Sequence, residues 1–456
     1  MTSTARGAES PGHISVPAGL PDTEGLPGAG GLPGAGEVPD VGGLPDTPRR
    51  PLRSRNFGLF FTARAATRLG TAMLPVALSA GLLQQGMGAT EVGYALASHF
   101  VCVAGFIVFG GVFADRLDAR RLMVCADVAC VVTQSVMAAM FLGGRVGLWQ
   151  LCAVSAVSGI ATGLFEPGVA RTVPAVADDV QAANGAVRTA ESLATLAGPA
   201  LAGVLIAVAS PGAVFAVHAG TYLVSAVCLV LLRLPVRTGP PRAGTSTYWA
   251  DLAEGWREFR ARTWMWGTIV VWMVLMITVA GPLVPLTSVE IISAHDAQAY
   301  GLVSSALGGG TALGALLAMR IRPVHPLRAG SLALFGFACY PPAVGAGLPF
   351  AAVAAAAAIS GAGAGFWSVM WATSVQTQVP GAVLGRIKAY EAAGSIVMMP
   401  VGQALAGPAA TLLGTRTVLL TSGAMGVAVC VALLSVPAIR GLRRVTGFGT
   451  PAGQRS

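Results

Sequence analysis

Gly110-Gly-Val-Phe-Ala-Asp115-Arg116-Leu-Asp118-Ala-Arg120-Arg121-Leu122 is a knot of charge set between two long apolar runs, each able to cross a bilayer. Such a loop sits in water or against protein, because hydrocarbon leaves charged and unpaired groups unsatisfied. Gly110 and Gly111 let two helices approach closely, since small residues set the distance between packed membrane helices. Asp115 and Arg116 stand where the preceding helix is expected to end, so the carboxylate can pair with a cation or with the start of a neighbouring helix. The basic residues that follow hold the loop on the cytosolic side.

The rest of the chain fits a loop of this kind. Its 456 residues are 54% hydrophobic and 11% charged, and the mean hydropathy is +0.69, whereas soluble domains carry about 25% charge. This composition belongs to an all-α polytopic membrane protein. The net charge of +9 does not call for nucleic acid, because the arginines gather in short loops between apolar runs, as topology requires. Seven cysteines lie inside apolar runs without CxxC or His-paired spacing, so they read as packing residues and no metal site is expected. Lys388, the sole lysine, follows no phosphate-binding glycine loop. The chain therefore holds no Walker A site, and no cofactor is expected.

Residues 1–55 are rich in Gly and Pro, with imperfect Gly-Leu-Pro repeats at Gly19, Gly25, Gly31 and Gly43. Too little apolar area is available there to offset ordering, so a disordered cytosolic tail is expected. Arg49, Arg50, Arg53 and Arg55 then precede the first apolar run. From there about twelve runs reach the roughly 20 residues needed to span. In the first half they fall near 57–84, 90–114, 121–142, 147–170, 185–209 and 212–233. In the second they fall near 264–288, 298–319, 328–347, 350–374, 386–410 and 415–436. Residues 56–233 and 264–437 form two pseudo-symmetric six-helix halves; 234–263 is a cytosolic linker with a short amphipathic helix, and 438–456 a basic cytosolic tail. Basic loops alternate with the expected sidedness: Arg171, Arg188, Arg233, Arg320, Arg322, Arg386 and Arg440 fall inside, while the outside loops carry mainly Glu91, Arg145, Glu290, Asp296 and Arg416. Both termini are thereby placed in the cytosol.

The second half carries a worn copy of the loop, with Gly314 opposite Gly110 and with Ala318, Met319 and Arg320 opposite Ala114, Asp115 and Arg116. Repeated halves mark a transporter. Glycine, then Asp-Arg, then further basic residues resembles the loop between the second and third helices of the major facilitator superfamily. The resemblance implies that Gly110, Gly111, Asp115, Arg116, Asp118, Arg120 and Arg121 form a cytosolic gating motif that latches the two halves. Phe165-Glu166-Pro167, Asn184-Gly-Ala-Val-Arg188, Gly198-Pro199 with Gly203, and Gly385-Arg386 resemble the branch of drug, macrolide and enterobactin exporters. Gly198, Pro199 and Gly203 are similar to the fifth-helix motif of the antiporters, either as a helix kink alone or as a kink that also favours export. One departure bears on proton coupling: that branch often has an acidic residue after the glycine corresponding to Gly70, and here the position is Thr71.

Ionisable side chains within spans are costly, about 2.5–3.5 kcal/mol at the centre on insertion scales, so each needs a partner or water. Arg64 and Arg68, four residues apart, share one face of the first span. They lie roughly 10 and roughly 16 Å from its cytosolic end. They are candidates for the substrate cavity, or else members of a structural ion pair. Glu166 is near the inner end of the fourth span, which the resemblance to the family places beside the first; it is therefore the partner expected for Arg64 and the first candidate for proton coupling. Glu191 follows, although it stands three residues from Arg188, and then Asp127, which is expected to brace the loop motif. His99 and His218 are isolated and read as packing residues. Trp272, Met273, Trp367, Met370 and Trp371 fall on spans that line the cavity of the family. Aromatic residues and methionine accept varied apolar shapes, and the alternative is that they meet lipid.

The chain is thus expected to be no enzyme. It is expected to be a monomeric, multi-pass exporter of the cell membrane, moving a hydrophobic or amphipathic small molecule by alternating access, driven by protons. A solute importer or narrow-substrate metabolite transporter of the same fold is the alternative, ahead of a channel or a membrane enzyme.

Overall fold

The computed structural model describes residues 54–116, 119–177, 179–233, 257, 260–379 and 397–444. The N-terminal tail, Asp118, the linker up to Trp256 and residues 380–396 lie outside that set. The described residues form an all-helical bundle. Helix α1 runs Arg55–Gln84, α2 Ala89–Arg116, α3 Ala119–Leu142, α4 Leu148–Val176, α5 Val180–Val208 and α6 Pro211–Leu231. The second half starts with α7, Thr263–Leu275, which passes through a π-helical turn, Met276–Ala280, into α8, Gly281–Ala294. It continues with α9 Ala297–Arg320, α10 Pro326–Ala333, α11 Tyr340–Gly345, α12 Phe350–Gln378, α13 Met398–Leu413, α14 Thr415–Ser435 and the short α15, Pro437–Arg440. Described helix therefore falls at every expected span, and among the described residues nine helices, with α7 through α8 counted as one, are long and apolar enough to cross a membrane by length and composition.

Local chemistry sets the helix ends. Ser54, Asp179, Ser210 and Asp296 each accept a hydrogen bond from the backbone N–H three residues on, capping α1, α5, α6 and α9, which satisfies a donor the helix leaves open. Pro211 follows Ser210 at the first turn of α6, where a missing N–H costs nothing. The turns after α1 and α13 place Gly86 and Gly414 at φ +74 and +83, a left-handed conformation that side chains resist. Two spans are broken where the sequence suggested plain helix. Pro282 lacks an N–H to give back to the preceding turn, and the widened π turn stands just before it. In the ninth span Pro341 and Pro342 do the same after a 3₁₀ segment, Leu334–Ala338, so that span is α10, a tightened turn and α11.

Packing shows how the halves meet. Within the second half, α9 and α12 cross at Gly310, Gly314, Gly361 and Gly365, where an added Cβ would collide with the carbonyl oxygen of the facing helix. Small residues four apart on both helices allow that approach. The halves touch through α5 with α9 and through α2 with α13. A Cβ on Gly203 would lie 2.8 Å from Gln298 Cα, one on Gly308 would lie 2.8 Å from Thr195 O, and Gly93 and Gly407 abut Gln403 and Thr90. The backbone N–H of Ala200, just after Pro199, donates to Ser305 Oγ at 3.1 Å. The contacts at Gly93, Gly203 and Gly407 lie toward the end of the bundle away from Ser54 and Arg444. There a single apolar core joins the halves, with Leu78, Leu96, Phe215, Leu283, Tyr300 and Tyr340 among its members. Nearer the termini the cores are separate: Phe57, Phe60, Met123 and Leu229 in the first half, and Leu275, Leu334, Trp367 and Leu433 in the second. Val128, Val132, Leu201, Leu223, Leu313 and Leu316 are exposed, an apolar outer surface suited to lipid.

Candidate functional site

Two cavities stand at matching places in the two halves. The first is walled by α1, α3, α4 and α6, through Arg64, Thr67, Arg68, Thr71, Asp127, Cys130, Thr162, Phe165, Glu166 and Tyr222. It has about 40 Å³ of space for water, enough for a few molecules. The second, of about 490 Å³, is walled by α7, the ninth span and α12, through Trp272, Leu334, Phe337, Trp367, Ser368 and Trp371. Counting from the first residue of each helix, Arg64 in α1 matches Trp272 in α7, Phe165 in α4 matches Trp367 in α12, and Glu166 matches Ser368.

The first cavity is built around an ion network. Arg64 donates from two terminal nitrogens to Glu166, to Oε1 at 3.0 Å and Oε2 at 3.2 Å, and from Nε to Glu191 Oε1 at 2.7 Å. Arg68, one turn farther along the same face, donates to Glu166 Oε1 at 2.9 Å and to Glu191 Oε1 at 3.2 Å. Arg188 adds a bond to Glu191 Oε2 at 3.0 Å. Three arginines and two glutamates from α1, α4 and α5 thus share one cage with an excess of one positive charge. Paired, doubly hydrogen-bonded groups of this kind withstand burial that single ions do not. Arg64 is the deepest, its side chain 7% exposed, and its guanidinium carbon lies 5.9 Å from the centre of the Phe165 ring. Glu191 joins a three-arginine network rather than pairing with Arg188 alone.

Asp127 turns inward from α3, where Ser225 Oγ on α6 donates to Oδ2 at 2.5 Å. It therefore faces the cavity and α6. Arg120, at the start of α3, donates to the carbonyls of Leu229 and Val230, the last acceptors of α6, where a cation also meets the negative end of the helix dipole. Gly110, Gly111, Asp115 and Arg116 lie on the closing turns of α2, and Asp118 lies outside the described residues. His218 is fully packed. Its ring stacks on Tyr222 at 4.8 Å, and neither nitrogen has a hydrogen-bond partner among the described residues.

In the second cavity the walls are indole. Trp367 is 3% exposed and stacks between Trp272, 5.6 Å away with planes 13° apart, and Trp371, 6.2 Å away with planes 13° apart. Trp264 meets Trp371 edge-on at 5.8 Å. Offset and edge-on arrangements are the ones ring quadrupoles favour. Met370 leaves this cavity for the other side of α12, where it packs with Ala318 and Phe366. Met273 packs with Met265, Ile269 and Val375. Gly198 meets Ala72 of α1, its added Cβ 2.5 Å from that methyl, so Gly198, Pro199 and Gly203 sit where α5 packs on α1 and α9. Trp264 and the three-arginine cage are the features that spacing along the chain did not single out. Trp264 stands eight residues before Trp272, a helical interval on one face.

Residues 60–399 match the family model of the Major Facilitator Superfamily, and the chain belongs to that superfamily of transporters. Among curated relatives it is similar to the macrolide efflux protein A of Streptococcus pyogenes, 22% identical over 408 residues that cover 85% of this chain and 97% of that protein. Among solved structures it resembles the nucleoside transporter NupG, with a TM-score of 0.65 at 11% identity over 83% of this chain and 98% of that one. It also resembles a D-xylose–proton symporter, with a TM-score of 0.61 at 15% identity over 86% of this chain and 100% of that one. At these identities the solved structures speak for the fold alone. The chain is a multi-pass membrane protein of a family that moves small molecules.

Proposed function

We propose that the protein exports a hydrophobic or amphipathic small molecule across the cell membrane by alternating access, in exchange for protons. The termini lie in the cytosol, and the two halves, 56–233 and 264–437, rock about the apolar core they share at the opposite end. On this orientation the structure is the inward-facing state, ready to load from the cytosol or the inner leaflet. The observation that carries the reading is the tryptophan-walled cavity. It offers broad apolar area and stacking faces with few directed polar groups, which suits amphipathic solutes of varied shape. Similarity to a macrolide efflux protein points the same way.

The test is accumulation of a panel of hydrophobic cations and macrolides, ethidium and erythromycin among them, in cells expressing the protein, with and without a protonophore. Export predicts lower accumulation that the protonophore restores. Unchanged accumulation across the panel would contradict it. Import is the second reading, because a D-xylose–proton symporter shares the fold; uptake by right-side-out vesicles in place of extrusion would favour it.

A further inference from the structure

One carboxyl in the first cavity stands apart from the ion network. Glu166 receives N–H bonds from Arg64 and Arg68, and Glu191 from Arg64, Arg68 and Arg188. Asp127 receives none from an arginine. Its Oδ2 accepts from the Ser225 hydroxyl, and its Oδ1, buried within a residue 1% exposed, has no hydrogen-bond partner among the described residues. Nevertheless Asp127 lines the same water-sized cavity as Arg64 and Arg68. An ionised carboxylate held that deep by one hydroxyl pays for burial without compensation. A proton removes that cost, and it converts the group into a donor toward water in the cavity.

We propose that Asp127 is the proton carrier of this transporter: it takes up a proton in the outward-facing state, brings it to the inward-facing state seen here, and releases it there when substrate loads. The assignment deepens the proton-coupled reading above and rests on it. The groups around Asp127 set the exchange. They are Arg64 and Arg68 from α1, Glu166 from α4, Cys130 on its own helix, and Ser225 and Tyr222 from α6. While both glutamates hold the arginines, Asp127 meets no free cation and keeps its proton. All three donor nitrogens of Arg64 are committed to glutamates. Arg68 is the less buried of the pair, with a side chain 35% exposed, and is the arginine able to turn. When substrate loads from the cytosolic side and Arg68 swings toward α3, the O–H bond of Asp127 breaks, its proton passes to cavity water open to the cytosol, and the carboxylate pairs with the guanidinium. In the outward-facing state, once the substrate has left, return of the arginine to Glu166 frees the carboxylate to take a proton from the outer water. Only a proton moves, and no electron donor or acceptor is needed.

The experiment is infrared difference spectroscopy of the full-length protein in lipid across a pH titration, wild type against Asp127→Asn. The expected result is a carbonyl band of a protonated carboxyl that deuterium shifts and that the variant lacks. A wild type without a band assignable to Asp127 overturns the assignment whatever the transport data show. A second measurement uses erythromycin and ethidium in proteoliposomes. Asp127→Asn is expected to lose transport driven by a pH gradient while keeping equilibrium exchange, which also shows that the variant folds. Gradient-driven transport retained in Asp127→Asn overturns the carrier role alone. A wild type that ignores the gradient overturns proton coupling itself, and the infrared band then says separately whether Asp127 holds a proton.

Discussion

Arg64, Phe165 and Glu166 in the first half occupy the places that Trp272, Trp367 and Ser368 hold in the second. The same helices, at the same depth, wall one cavity with charge and the other with indole. The difference teaches how a duplicated fold divides its work. An ion network is costly to bury and has few good geometries, so it suits a component that switches between discrete arrangements. An aromatic wall has little directional demand, so it suits solutes of differing shape. We read the charged half as the coupling half and the aromatic half as the binding half.

Breaking the network at its centre is expected to have the largest effect. Arg64→Ala strands Glu166 and Glu191 with a single arginine each removed, in a site where losing one partner of a buried pair costs about 3–5 kcal/mol. Thermal unfolding in detergent is expected to fall by many degrees and transport to vanish; wild-type stability would mean that the charges are solvated and not structural. Trp367→Ala empties the middle of the indole stack, at a cost of up to about 3–5 kcal/mol for an aromatic removed from a core. Its sharper signature is selective, a loss of probe binding with the response to a pH gradient intact. Glu166→Gln is milder, because that side chain is 32% exposed. It is expected to slow gradient-driven transport and equilibrium exchange in equal proportion, since it loosens the hold on both arginines; a loss of driven transport alone would make Glu166 the proton carrier. Arg188→Ala is the smallest change. Its side chain is 80% exposed, such pairs contribute about 0–1 kcal/mol, and transport rates are expected to stay near wild type.

Much of the fold was legible because hydrocarbon imposes its length on every span. The expected run 57–84 and the helix Arg55–Gln84 differ only at the start, and 415–436 and Thr415–Ser435 by one residue at the end. Where helices run past the bilayer, apolar content no longer marks their ends. Helix α5 thus begins at Val180, five residues before the expected 185, on an Asp179 cap. Prolines could be seen in the ninth span, but whether they kink a helix or divide it depends on neighbours. The Arg64 and Glu166 pair was readable because the family resemblance sets the fourth span beside the first, where a buried cation needs an anion. That Glu191 belongs with them was not, because which face α5 turns to α1 is set by the close approach of Gly198 to Ala72. Met273 and Met370 stand beside the cavity tryptophans in sequence, yet they pack on other neighbours. Adjacent positions on a helix point about 100° apart, and only the assembled bundle says which direction is inside.

The most direct test of the division of labour measures binding and coupling side by side in Trp367→Ala and Asp127→Asn. Calorimetric affinity for ethidium and erythromycin is compared with gradient-driven transport in the same lipid. The account predicts that Trp367→Ala loses affinity and keeps its response to the gradient, while Asp127→Asn keeps affinity and loses that response. Two variants that lose both properties together, or that exchange these phenotypes, would contradict it.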